Sequence, residues 1–385
     1  MRYVLGKVKT YIRRIDKILL LLVCAISGFA VYLLYTLYQN NISGNVSASQ
    51  YKTQLVAAVA GLVVALIIAG INYKFIAKLW FIYAPLALLF TLLLFTSLGV
   101  QNEGADDIGW LNLGFIQFQP SEVLKLAFIL SFAYHLSKVE DRMNEIFHFI
   151  LLCIHGMVPT FLIVLTGDDG SAMVFLFVFL CMIFAAGLSW KYLVFFGVIA
   201  PPGIYVLWNY IMRPHQRLRF QILWDTALQE EESLGIYMQQ RLGKIALGSG
   251  GLTGQGLSGG NYTYVPEIHN DFIFSYIGMA MGLLGCILVI VLLATLALKI
   301  LSSASSAKDQ LGRSICIGVF ALIVFHSATN IGMVLGVAPV IGIPLPFVSA
   351  GGTSVASLFV AIGLVLSVGM HNTKKYHMFY TELDD

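Results

Sequence analysis

The sequence is poor in charge: Asp, Glu, Lys and Arg supply 11% of its 385 residues, under half of the roughly 25% found in soluble domains. That deficit excludes a soluble globular protein, and a mean hydropathy of +0.83 points the same way. Cysteine is sparse and unpatterned. Cys24, Cys153, Cys181, Cys286 and Cys316 all fall in apolar stretches, where a thiol behaves as a small hydrophobe, so neither a disulfide framework nor a zinc spacing is in view. The short alternating segments of a β-barrel are missing, and so is any solenoid repeat. No small-residue cleavage site follows the basic residues Arg2, Lys7, Lys9, Arg13 and Arg14. The apolar run from about Ile18 therefore reads as a retained first helix and not as a cleaved signal peptide. The histidines lack metal-ligand spacing, and His148, His155 and His326 read as helix-packing residues. Nothing points to nucleic acid.

What is present is a series of apolar runs near the ~20 residues that cross a hydrocarbon core. Ten can be drawn, at about 18–38, 53–72, 78–98, 121–137, 147–165, 171–187, 190–211, 271–299, 313–337 and 349–371. They define an all-α, polytopic membrane protein, since helices satisfy their own backbone groups in lipid. With the N-terminus in the cytoplasm an even count returns the C-terminus there, and 16 of the 23 Lys and Arg then fall on the cytoplasmic side, as the positive-inside rule requires. Residues 1–385 read as a single membrane domain. Its one long excursion, 212–270, lies on the outer face between the seventh and eighth helices, and a loop of that length in a compact protein is usually functional.

Several residues need a reason to lie in or beside lipid. Lys125 follows Gln119-Pro-Ser-Glu122, with Pro120 or Ser121 opening a helix and Glu122 in its first turn, where a carboxylate suits the positive helix end. Glu122 and Lys125, three apart, share a face. They are either a structural ion pair or, for Lys125, a cation facing an anionic substrate, because a charge near the bilayer centre costs about 2.5–3.5 kcal/mol. In Thr166-Gly-Asp-Asp-Gly-Ser171, Asp168 or Asp169 either caps the next helix or points into the same polar cavity. Arg213, Arg217, Arg219, Arg241 and Lys244 in the long loop are either a solvated surface or a clamp for a phosphate or diphosphate.

Residues 248–260 contain a formal G-x-G-x-x-G at Gly254, Gly256 and Gly259. No strand precedes it and the Walker lysine is missing, so it does not read as a nucleotide site. Its glycines allow an irregular backbone that approaches a ligand closely and offers N–H groups to anions. Asp271 then stands at the mouth of a long apolar helix. It is either an N-cap or, beside Glu267 and His269, a half-buried general base with a raised pKa.

Taken together, Gln119-Pro-Ser-Glu122 with Lys125, the run Ile245–Gly256, Pro266-Glu-Ile-His-Asn-Asp-Phe-Ile-Phe274, Asn330-Ile-Gly-Met-Val and the run Pro339–Ser354 resemble, in order, the SEDS family of shape, elongation, division and sporulation proteins. The resemblance implies ten helices and a peptidoglycan glycosyltransferase that polymerises lipid II on the outer face of the bacterial cytoplasmic membrane, with a class B penicillin-binding protein as partner. It implies that Asp271 is the essential aspartate, and that Lys125 and Asp168 match the family's lysine and its carboxylate between the fifth and sixth helices. Ser349 and Glu122, in two of the matching motifs, join the expected substrate-binding residues. Three features depart from the family pattern: Thr166–Ser171 replaces Gln-Pro-Asp-Leu-Gly-Thr, Met279, Ala280 and Met281 stand where paired glutamates are common, and Ala350 replaces a frequent Tyr.

The chemistry implied is attack of a sugar hydroxyl on an anomeric carbon with loss of a diphosphate. It needs a base for the hydroxyl proton and cations for the leaving charge. Asp271 is the expected base; Arg217, Arg219, Arg241, Lys244 and Lys125 are the candidates for the diphosphate. No cofactor is evident, and a divalent cation at the diphosphate is compatible with the chemistry although no ligand set announces one. Two competing classes remain: a flippase for the same lipid, and a non-catalytic scaffold for the penicillin-binding protein.

Overall fold

The computed structural model describes residues 11–40, 47–101, 107–112, 114 and 117–372. Arg2, Lys7, Lys9, Lys374 and Lys375, used in the topology argument, lie outside the described residues. The membrane body is built from α1 (Lys17–Gln39), α2 (Ala48–Gly70), α3 (Tyr73–Lys78), α4 (Trp80–Leu92), α5 (Pro120–Lys138), α6 (Ile146–Thr166), α7 (Asp169–Ala185), α8 (Trp190–Val206), α12 (Ile273–Ser306), α13 (Gln310–Leu335) and α14 (Gly352–His371). Three shorter helices, α9 (Pro214–Gln221), α10 (Thr226–Glu231) and α11 (Met238–Ser249), fill much of 212–270.

By length and composition seven of the described helices can cross a membrane: α1, α2, α6, α8 with its continuation to Tyr210, α12, α13 and α14. The apolar helix Trp80–Phe95 and α7 are shorter, and α5 carries Glu122, Lys125 and Lys138. The ten expected spans thus do not correspond to ten equally long apolar helices. The all-α class holds apart from a small antiparallel sheet between α4 and α5. There β1 (Gly99–Val100), β2 (Trp110–Asn112) and β3 (Gln117–Phe118) run in the order β1-β2-β3, with Gly99 opposite Leu111 and Leu111 opposite Phe118.

Local chemistry fixes the helix ends. Asp16 accepts from the N–H groups of Ile18 and Leu19 at 3.1 Å each, an N-cap worth about 1 kcal/mol, and it also pairs with Lys299 on α12 at 3.0 Å. Asp309 caps α13 through Gly312 N at 2.8 Å, accepts from Tyr73 Oη at 2.8 Å and pairs with Lys74 at 2.5 Å, so one carboxylate ties the turn after α2 to the start of α13. α14 is the most enclosed of the seven. It lies along α2, where Gly61 meets the Phe359 ring and Gly363 the Ala65 backbone, the small-residue packing that lets helices approach closely in lipid.

The helix α12 is not continuous. Gly282 sits at φ 65 and ψ −162 inside it, a conformation that only glycine adopts at little cost. The glycine-rich segment fills the break: Gln255 and Gly256 donate to the carbonyls of Met279 and Ala280 at 3.0 Å each, while Leu283 and Leu284 donate back to Gly251 and Leu252 at 2.9 and 3.2 Å. Broken helices are tolerated at membrane depth where protein backbone takes up the freed groups. A β-carbon on Gly254 would come within 2.2 Å of the Ala280 carbonyl oxygen. Of the N–H groups expected to face an anion, those of Gly254 and Gly256, with Gln255 between them, are bonded to protein carbonyls.

Candidate active site

The segment from Gly336 to Ser349, after α13, is where the motifs meet. A β-carbon on Gly170, in the first turn of α7, would lie 2.3 Å from Ile341 O, so the Thr166–Ser171 turn rests on this segment. Gln240 of α11, fully buried, donates to Met333 O and Ala338 O at 2.8 and 3.0 Å. On the third side stands Asp271, whose Oδ2 would be 3.8 Å from a β-carbon on Gly342.

Asp271 precedes α12 but does not cap it. The N-cap position is Phe272, without a side-chain cap bond, and among the described residues the Asp271 carboxylate has no hydrogen-bond or ion-pair partner. It is partly buried. Burial, reinforced by the Glu267 charge, pushes its pKa up to about 7, because both disfavour the charged form. Burial pushes His269 the other way, below its ordinary value, against the pull of Glu267. Glu267 itself sits at φ 51, a conformation that costs a non-glycine residue of order 1–3 kcal/mol and is concentrated at functional sites.

The backbone beneath Asp271 is held carbonyl by carbonyl. Ala350 N donates to His269 O at 2.9 Å, Ser349 Oγ to Asn270 O at 2.6 Å, and Asn330 Nδ2 to Asp271 O at 2.8 Å. Asn330 also donates to Ile343 O at 2.8 Å, and Ser349 Oγ accepts from Leu345 N at 2.8 Å. Ser349 is 3% exposed. Expected among the substrate-binding residues, it gives its hydroxyl to the protein backbone here.

Arg217, Arg219, Arg241 and Lys244 are half-buried on α9 and α11. Among the described residues Arg217 and Arg241 have no ion-pair partner, and the Nε of each is buried without a hydrogen bond. Lys244 Nζ reaches Tyr237 Oη at 3.4 Å and lies 5.5 Å from the ring centroid. Its stem crosses Gly336 so closely that a β-carbon there would meet Cε at 2.0 Å. Of the two helices, α11 packs against the Asp271 segment, a β-carbon on Gly243 meeting the Phe272 ring at 2.7 Å, while α9 is tied to the start of α7 through Gln216 and Asp169; the buried Nε groups of Arg217 and Arg241 are donors of the kind that bind a diphosphate.

Lys125 and Asp168 both have partners within the protein. Lys125 is not a free cation: its Nζ lies 2.7 Å from Glu122 Oε1, both side chains are at most 5% exposed, and Ser357 Oγ donates to the other carboxylate oxygen at 2.8 Å. A pair closed and desolvated in this way pins α5 to α14, as the ion-pair alternative for these two residues expects. Asp168 takes the capping role, accepting from Ser171 N at 2.8 Å. The neighbouring Asp169 accepts from Gln216 Nε2 at 2.5 Å and so latches α9 to the start of α7.

Sequence reasoning gave no site role to three buried polar residues, of which Gln54 went unmentioned and His326 was read as packing. Gln54 on α2, 1% exposed, donates to Phe347 O and Ser349 O at 3.3 and 3.2 Å and accepts from Gly351 N at 3.2 Å. Asn330 was legible only as part of a motif. His326, one turn before Asn330, bonds Pro344 O at 3.3 Å and so holds the same segment. The signal for each was an isolated polar residue in an apolar run, which the bilayer does not tolerate without a partner. No group of three His, Cys, Asp or Glu that could hold a metal ion occurs among the described residues.

The fold and this site define a class: a multi-pass membrane protein whose carboxylate at a helix mouth has no partner among the described residues and stands beside α11, the helix that carries Arg241 and Lys244. A family model described as cell cycle protein, covering FtsW, RodA and SpoVE, matches residues 13–374, and the chain belongs to that family. The chain is 31% identical to a probable peptidoglycan glycosyltransferase FtsW of Trichlorobacter lovleyi over 363 residues, 92% of each chain. It is 32% identical over 317 residues to the peptidoglycan glycosyltransferase MrdB of Escherichia coli, covering 81% of this chain and 83% of that one. A chain from a solved peptidoglycan synthase complex that coordinates polymerization and crosslinking superposes with a TM-score of 0.79 at 25% identity, over 94% of this chain and 99% of that chain. The rod shape determining protein RodA of Thermus thermophilus shares the fold, with a TM-score of 0.67 at 24% identity over 94% and 98% of the two chains.

Proposed function

We propose that this protein is a peptidoglycan glycosyltransferase that polymerises lipid II at the outer face of the bacterial cytoplasmic membrane, with Asp271 as general base. The observation that carries the reading is the Asp271 carboxylate, without a partner among the described residues, its pKa pushed up to about 7 at the mouth of α12, where α11 with Arg241 and Lys244 packs against Phe272. A base poised near the working pH combines a useful ionised fraction with proton affinity. The relatives named peptidoglycan glycosyltransferase supply the substrate class.

In the step proposed, the acceptor sugar hydroxyl attacks the anomeric carbon of the lipid-linked donor and its proton passes to Asp271. The new C–O bond forms as the anomeric bond to the diphosphate breaks, and the diphosphate leaves with the electron pair. Arg217, Arg241 and Lys244, with Arg219 alongside, stabilise that charge. Single displacement inverts the anomeric centre and gives a β-linkage. The site lies at a helix mouth, so the sugars stay in water while the polyprenyl tail stays in lipid.

The basic tally supports cytoplasmic termini and an outward-facing 212–270 within one membrane domain. The resemblance and the synthase-complex neighbour support a class B penicillin-binding protein as partner. The flippase reading rests on Lys125 and Asp168 around a polar cavity, and it leaves a base at the outer helix mouth without a task. The test is glycan synthesis from lipid II by purified protein in detergent, with and without the penicillin-binding protein. Polymer made without a membrane gradient is expected; lipid translocation in vesicles with no polymer under either condition would overturn the reading.

A further inference from the structure

We infer that Asn330 is a positioning residue that aims the Asp271 carboxylate through the backbone. The inference deepens the proposed function and rests on Asp271 acting as base. Since the carboxylate has no hydrogen-bond partner among the described residues, nothing polar fixes its direction; its aim comes from its own backbone and from packing. Asn330 donates both hydrogens of one amide nitrogen to carbonyls, one on Asp271 itself and one on Ile343. The second carbonyl belongs to the residue after Gly342, the glycine that faces Asp271 Oδ2. One fully buried side chain therefore sets the spacing between the base and the backbone opposite it. The assignment of the amide is unambiguous, because a carbonyl only accepts and the nitrogen must face both.

Asn330 is well placed for this because it projects from the regular helix α13 onto the segment that follows it. One turn earlier His326 bonds Pro344 O, so two residues on one helix face hold successive residues of the same loop. On the neighbouring carbonyl, Ser349 does for Asn270 what Asn330 does for Asp271. Among the described residues no hydrogen bond joins Asn330 to the basic residues of α9 and α11, so losing it should move the base and leave substrate affinity alone.

The test is steady-state polymerisation of lipid II by purified full-length variants. Asn330→Ala is expected to lower kcat by about 10- to 100-fold, the scale of a misplacement near 1 Å, with KM within about threefold of wild type. Asn330→Gln, which keeps the donor, should recover part of that loss. In the Asp271→Asn background, Asn330→Ala should cause no further loss, because a positioning residue has nothing left to aim. A wild-type kcat, a rise in KM alone, or a full multiplicative loss in the double variant overturns the inference. If Asn330→Ala is not recovered as folded protein, Ser349→Ala, which frees the adjacent carbonyl, carries the same test, and an unchanged kcat overturns the inference there. If Asp271→Asn is inactive while Asn330→Ala is wild type, only the positioning role fails; if Asp271→Asn is itself fully active, the base reading fails and takes this inference with it.

Discussion

Replacing Asp271 by Asn should make the protein more stable while disabling it. The carboxyl titrates near pH 7 in the fold against about 3.9 in an unfolded chain, so between those values the folded state holds a proton that the unfolded state has released. Stability linked to this group is present in full below about pH 4 and is lost as the pH rises through 7. A difference of about three units corresponds to about 4 kcal/mol at 1.36 kcal/mol per unit; with the side chain still touching solvent, we expect about 1–4 kcal/mol. Asn keeps the shape and carries no charge, so the variant escapes this cost. Apparent unfolding temperatures in detergent, followed by tryptophan fluorescence at pH 8 and pH 4.5, read the effect directly. The variant should unfold several degrees above wild type at pH 8, and the gap should shrink at pH 4.5. Equal temperatures at pH 8, or a more stable wild type there, would refute the claim that this carboxylate is buried without a partner.

Three further outcomes follow from the same geometry. Lys125→Ala leaves Glu122 buried and unpaired, at a cost of about 3–5 kcal/mol, and should reduce folded yield; the double variant Lys125→Met with Glu122→Gln should recover both yield and activity, whereas recovered yield without activity would show that the pair has a role beyond structure. Gly282→Ala puts a β-carbon within about 2.4 Å of Gly254 N and should lower the unfolding temperature, while Gly28→Ala, with no atom within 4 Å, should not; equal effects would deny the break in α12. Cysteines placed at Ser233 and Ser258 in a background cleared of native thiols should react with an impermeant reagent in intact cells, and labelling only after lysis would reverse the topology.

How much of this was legible in the sequence differed by residue. Asp271 stood out because a carboxylate beside a long apolar run is expensive, and the Glu122–Lys125 pair because residues three apart on a helix share a face. Whether Lys125 was free or paired depended on a rotamer and on Ser357, 232 positions away in the chain by the numbering of the two residues, which periodicity does not reach. The glycine-rich segment carried its signal in the open, but its partner, the break at Gly282, is a single residue in a helix of 34. Gln54, Asn330 and Ser349 act on backbone carbonyls, and a carbonyl leaves no mark in the sequence. The segment from Gly336 to Ser349 therefore read as a motif with a function, while the way it builds the site became visible only in three dimensions.

The central claim is that Asp271 takes a proton during glycan synthesis. Its most direct test is the rate of lipid II polymerisation by purified Asp271→Asn beside wild type, with folding and membrane abundance checked in both. Removing a general base slows a reaction by about 10²–10⁴-fold, so the variant should form almost no glycan while binding lipid II and its partner normally. Polymerisation by well-folded Asp271→Asn at the wild-type rate would contradict the account.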